Sequence, residues 1–208
     1  MQISHFLSLG SNVNMPIYFE IVAAAEIMDY ELFQTINGLA GKFSLLDELM
    51  KGLTLYGPFI SVAVLAVLLL RWKMKEFLTG ILGFAAMLTG LGMDFLIGVL
   101  FYRGRPFVEH HVNLLLQHTQ DSSFPSDHTT ATFAIAFAVW KFNQKLSSLL
   151  LILASIIGVS RIYVGHHYPT DVLGGILIGF LSVKLVLWLF NTKGFSAPVK
   201  TNGQAIDK

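Results

Sequence analysis

The sequence predicts an all-α membrane protein. It is expected to be a polytopic helix bundle of about five transmembrane helices, preceded by an N-terminal amphipathic or interfacial helix. Three observations point there. Only 13% of the 208 residues are charged, against about 25% in soluble domains. The mean hydropathy is +0.63. Apolar runs approaching the roughly 20 residues that a helix needs to cross a bilayer alternate with short basic loops.

The first element is the stretch MDYELFQTINGLAGKFSLLDELM, which begins at Met28 and reads as an amphipathic helix lying in the outer interface. Residues 1–27 read as an N-terminal extension, because YFEIVAAAEI is too short to span and no Lys or Arg precedes it as in a signal peptide. Four spans follow, roughly Leu53 to Leu70, Phe77 to Tyr102, Leu149 to Val164 and Val172 to Phe190. A fifth, His128 to Trp140, is short and polar in its first turn, so its outer end is expected in a polar cavity. The domain is thus expected over residues 28–192, with 193–208 a polar, disordered, cytoplasmic tail.

Orientation follows from Lys and Arg in the short loops. Arg71, Lys73 and Lys75, then Lys141 and Lys145, then the lysines of the tail share one side if five spans alternate. That side is read as cytoplasmic. Arg103 and Arg105 fall on the other side, against the rule, which implies a task there. The net charge of +1 gives no basis for a nucleic-acid partner, and the absence of cysteine excludes disulfides and a thiolate nucleophile.

Six of the seven histidines fall on the predicted outer side, at positions 110, 111, 118, 128, 166 and 167. Three polar clusters converge there: YRGRPF with Arg103 and Arg105, FPSDHT with Ser126, Asp127 and His128, and SRIYVGHHYPTD with Arg161, the His166–His167 pair and Asp171. Arginine forks match phosphate oxygens. Histidine serves as nucleophile or general acid, and a helix opening at Ser126 offers an anion site. No carboxylate cluster suggests a metal pair, so no metal or other cofactor is expected. Within the doublet, Asp171 follows His167 by four residues and His166 by five, which favours His167 only mildly. Pro169 is better suited to start a helix than to lie inside one. His110, His111, His118 and His166 read as solvated, and Tyr163, Tyr168 and Phe107 as interface or pocket-wall residues. The glycines at 174 and 175 read as aids to close helix packing. Asp94, costing roughly 2.5–3.5 kcal/mol if ionised at the bilayer centre, is expected to make a helix–helix hydrogen bond.

These motifs resemble the type 2 phosphatidic acid phosphatase superfamily, whose signature is Lys-x6-Arg-Pro, Pro-Ser-Gly-His and Ser-Arg-x5-His-x3-Asp. The third part is complete here from Ser160 and Arg161 through His167 to Asp171. The second has Asp127 in place of Gly, and the first has Arg105-Pro106 but Gly98 in place of Lys. The wording FPSDHTT with SRIYVGHHYPTDVLG is most similar to the bacterial undecaprenyl-diphosphate phosphatases of the bacitracin-resistance type. The resemblance implies catalytic roles for His128, His167 and Asp171. His167 is the implied nucleophile, Asp171 the partner of its other ring nitrogen, and His128 the general acid. Arg105, Ser126 and Arg161 are implied to bind substrate phosphate, with Arg103 a candidate replacement for the absent lysine. Asp127 is a candidate for raising the proton affinity of His128. The implied substrate is a polyprenyl diphosphate lipid, cleaved through a phosphohistidine, with membrane lipids as the other partners. The alternatives are a phosphatase of phosphatidic acid or phosphatidylglycerol phosphate, or a lipid-phosphate binder or transporter without catalysis.

Overall fold

Apolar side chains and short polar breaks set the helices of the computed structural model, which describes residues 15–71 and 73–192. The elements are α1 (Met15–Asn37), α2 (Ser44–Leu70), α3 (Met74–Leu100), a single turn α4 (Pro106–Glu109), α5 (Asp127–Val139), α6 (Gln144–Tyr163) and α7 (Pro169–Thr192). Among the described residues there is no strand. The tail expected over 193–208 lies outside them, as does the start of the extension expected over 1–27.

Helices α2, α3, α6 and α7 are each long and apolar enough to cross a membrane. Their order matches the four long spans read from the sequence, and α7 opens at Pro169, where proline's missing N–H costs nothing. The interfacial stretch from Met28 is not one helix. It breaks at residues 38–43, where Gly41 adopts φ +81°, and its second half is the first turns of α2. Asp47 secures that start by accepting from Gly41 N at 3.0 Å and from Tyr163 Oη at 2.7 Å. Helix α1 runs through the boundary expected at 27/28 without interruption.

Helix α5 holds the centre. It packs on α3, α6 and α7, and nine of its 13 residues are buried. At about 1.5 Å per residue it is roughly 20 Å long, shorter than the ~30 Å hydrocarbon core and than the four long spans around it. The irregular polar segment that leads into it, residues 123–126, is mostly buried in protein, where irregular backbone is tolerated. Helix α7 lies close against it because Gly175 lacks a side chain: a Cβ there would meet Ser126 O at 2.8 Å and Thr129 Cβ at 2.9 Å. This is the close packing read for that glycine pair. The chain order brings the C-terminal ends of α3 and α6 and the N-terminal ends of α5 and α7 to one end of the bundle, with the basic loops at the other.

Candidate active site

His167 sits in the turn between α6 and α7. Gly165 makes that turn with φ +91°, a conformation other residues rarely adopt. Both histidines of the doublet are 2% exposed. His167 Nε2 lies 3.0 Å from Arg105 Nη1 and 3.3 Å from Arg161 Nη2. Arginine only donates, so Nε2 accepts and Nδ1 carries the proton. Nδ1 accordingly donates to Ser123 O at 2.8 Å. Burial, then the charges of Arg161 and Arg105, push the imidazole well below its ordinary range, so it is neutral, with an unprotonated Nε2 facing the two guanidiniums.

His166 is oriented elsewhere. Its Nε2 contacts Leu116 O at 2.8 Å, and its ring meets those of His118 and Phe107 edge-on. It is not the solvated histidine expected. Burial, then the charge of Arg161, hold it at about 2, so it too is neutral. His118 is likewise not simply solvated: its Nε2 lies 3.1 Å from Arg161 Nη2. Burial lowers its proton affinity further than the Thr119 carbonyl restores it. His110 and His111 are exposed, His110 stacked on Tyr30.

The two arginines differ in their partners. Arg105 donates from Nε to Asp121 Oδ1 at 2.8 Å and from Nη1 to His166 O at 3.1 Å. Arg161 is 2% exposed, makes no ion pair among the described residues, and its buried Nε has no hydrogen-bond partner. A buried charge of this kind is costly unless a counter-charge arrives. The motif serine preceding it, Ser160, is structural, paired with Thr54 Oγ1 at 2.9 Å.

Asp171 departs from the expected role. Its Oδ2 is 3.6 Å from His167 Nδ1, beyond hydrogen-bond reach. The imidazole proton goes to the Ser123 carbonyl instead, while Asp171 Oδ2 accepts from Tyr168 N at 2.7 Å and from the Ser123 hydroxyl. Asp171 therefore acts on the ring through its charge and through the residues it fixes. Its Oδ1 accepts from Arg103 Nη1 at 2.6 Å. Arg103 is thus committed to Asp171 and does not replace the missing lysine beside Arg105 and Arg161. At Gly98 a Cβ would stand 3.2 Å from Ser122 Cβ, so the loop leaves little room for a longer side chain.

Ser126 occupies the N-cap position of α5 without a side-chain capping bond. Its N–H donates to Asp171 O at 3.1 Å and its Oγ accepts from Thr129 Oγ1 at 3.1 Å. His128, half-buried in the first turn, is governed foremost by burial and then by the charges of Arg161, His118 and Arg105, with no contribution from Asp127. Asp94 is 3% exposed and faces Thr130 and Asp127 across the α3–α5 contact. It lines a cavity of about 400 Å³ with Gly98, Asp121 and Asp127. Tyr163 and Tyr168 are 1% and 3% exposed; Tyr163 belongs to the core, and Tyr168 is a pocket-wall residue beside Arg103 and Glu109. Among the described residues no three His, Asp or Glu side chains are grouped as metal ligands.

An all-helical membrane bundle that gathers two buried guanidiniums around one imidazole nitrogen has the architecture of a membrane phosphatase. The PAP2 superfamily model matches residues 78–195, more than half of the chain, and the protein belongs to that superfamily. Undecaprenyl-diphosphatase BcrC of Bacillus subtilis (strain 168) is 42% identical over 165 residues, covering 74% of this chain and 82% of that protein. The bacitracin transport permease protein BcrC of Bacillus licheniformis is 35% identical, covering 77% and 80%. Among solved structures, the crystal structure of Aquifex aeolicus LpxE is similar with a TM-score of 0.67 at 28% identity, covering 77% of this chain and 95% of that one. The protein is a multi-pass membrane enzyme and a lipid phosphatase.

Proposed function

We propose that the protein removes the terminal phosphate of undecaprenyl diphosphate at the outer face of the bacterial plasma membrane. On this reading it recycles the lipid carrier for cell-wall synthesis and confers bacitracin resistance. The observation that carries the reading is the buried, ion-pair-free guanidinium of Arg161, set with Arg105 around an unprotonated His167 Nε2. Its relatives' names supply the lipid.

In the first step Nε2 attacks the terminal phosphorus. The bond to the bridging oxygen breaks, and undecaprenyl phosphate leaves with a proton from His128. Arg105, Arg161 and the α5 N-terminus beginning at Ser126 hold the equatorial oxygens, the positioning that phosphoryl transfer chiefly needs. The anionic substrate supplies the counter-charge that favours a protonated His128 among three neighbouring basic groups. In the second step His128 takes a proton from water, the hydroxide attacks phosphorus, the P–N bond breaks, and inorganic phosphate leaves with neutral His167 restored.

The test is phosphate release by purified protein from undecaprenyl diphosphate, phosphatidic acid and phosphatidylglycerol phosphate, with and without chelator. The expected result is fastest turnover on the diphosphate, unchanged by chelation. Preference for a phospholipid phosphate, or loss of activity that magnesium restores, would sink the substrate or the mechanism respectively.

A further inference from the structure

We infer that Arg103 and Asp29 are positioning residues of the active site, and that helix α1 is therefore part of the catalytic unit rather than an accessory. The inference rests on the reading of His167 as nucleophile. Arg103 occupies a variable position of the first motif, and Asp29 lies outside all three. Arg103 Nη1 donates to Asp171 Oδ1 at 2.6 Å and to Thr170 Oγ1 at 2.7 Å, while Nη2 donates to Asp29 Oδ2 at 2.7 Å. The guanidinium lies 4.1 Å above the Tyr168 ring. Asp29 is 4% exposed and also accepts from Thr170 N at 3.0 Å and from the Thr170 hydroxyl. It thus grips both Arg103 and the first turn of α7.

The consequence for chemistry follows from Asp171. Its carboxylate is 0% exposed, and a buried carboxylate stays charged only if paired and hydrogen-bonded. Tyr168 N and Ser123 Oγ occupy Oδ2; Arg103 is the cation, at Oδ1. Ser123 is also the residue whose carbonyl fixes the His167 tautomer. Arg103 therefore holds the charge and Asp29 aims the guanidinium, both acting on Nε2 through Asp171, Ser123 and His167. Other titratable groups around Asp171 are His167 at 3.6 Å, Tyr168, and Glu109 beyond the Tyr168 hydroxyl, with Arg105 and Arg161 on the far side of His167.

The sign of the pH effect is set by this pairing. Without its cation a buried carboxylate takes up a proton more readily, so the acidic limb of kcat/KM moves to higher pH. Arg103→Gln is expected to lower kcat 10–100-fold, the range typical of residues that orient a site's ligands, and to raise the pH of that limb. Asp29→Asn keeps the cation and loses its aim. It is expected to lower kcat about tenfold with KM little changed and the acidic limb not raised. Arg103→Lys, which retains charge but not the two-armed fork, should restore the limb and only part of kcat.

A wild-type kcat in Asp29→Asn overturns the inference, as does an unmoved limb in a folded Arg103→Gln. If Arg103→Gln does not fold, Asp29→Asn and Arg103→Lys decide. A role confined to docking α1 would lower the melting temperature of all three alike and leave the limb in place. His167→Ala is run beside them. If it stays active, the nucleophile reading fails; if it is inactive while Asp29→Asn is unimpaired, only this inference fails.

Discussion

At the motif-bearing end of the bundle Arg105, Arg161, His167 and Asp171 are each at most 3% exposed. At the opposite end Lys73, Lys75, Lys141 and Lys145 all stand exposed. The cavity there, about 420 Å³, is walled by Leu82, Phe137, Trp140 and Phe180. Lys184 joins that wall with its ammonium 5.3 Å from the Phe180 ring centre. The contrast separates two uses of charge. Exposed lysines can orient the chain in the bilayer and lose almost none of their hydration. A buried guanidinium loses hydration worth several kcal/mol, and the structure retains Arg161 without a carboxylate partner. Buried, unneutralised charge is what distinguishes a site from a signpost.

The largest expected effect tests the buried end at its centre. His167→Ala should drop phosphate release to background and abolish the acid-labile phosphoenzyme. His166→Ala, which removes a ring tied to Leu116 O, should keep activity within about tenfold of wild type, the loss expected of a supporting residue. Label retained in His167→Ala and lost in His166→Ala would reverse the assignment within the doublet. A smaller effect is expected at the unpaired arginine. Arg161→Lys keeps the charge but not the fork, and kcat/KM should fall about 10²–10³-fold, the cost of one misplaced oxyanion donor. Full activity in that variant would remove the basis of the comparison.

The smallest effect belongs to the opposite end. Lys145→Cys should leave activity within twofold and stability within about 0.5 kcal/mol. Paired with Gln117→Cys, it also reads orientation. An impermeant thiol reagent should label position 117 in intact cells and position 145 only after permeabilisation. The reverse pattern would invert the membrane topology.

The long spans were legible because apolar runs of that length have few other fates in a chain this poor in charge. The start of α2 was not, because Asp47, Glu48 and Lys51 look like surface residues, whereas Asp47 is held by Tyr163, 116 positions away. The histidine doublet was legible only in part. Spacing favoured His167, but the burial of His166 depends on Leu116 and His118 in a loop with no periodic signal. The Ser123 carbonyl could not be read at all, since any residue can supply a backbone oxygen. Asp29 was hidden by distance, 141 residues from Thr170, although a lone carboxylate on the inner face of an amphipathic helix was an available hint.

The shortness of α5 sets how enzyme and substrate meet. A helix of roughly 20 Å cannot reach both faces of a bilayer core of ~30 Å, and on the proposed reading the Ser126–His128 end of α5 is the recessed one. A lipid phosphate can reach it by sliding in the plane of the leaflet, its chain never leaving the oil. The encounter is then two-dimensional. Turnover should follow the mole fraction of substrate among surrounding lipids, and adding inert lipid at constant bulk substrate should slow the enzyme as dilution slows a reaction in solution.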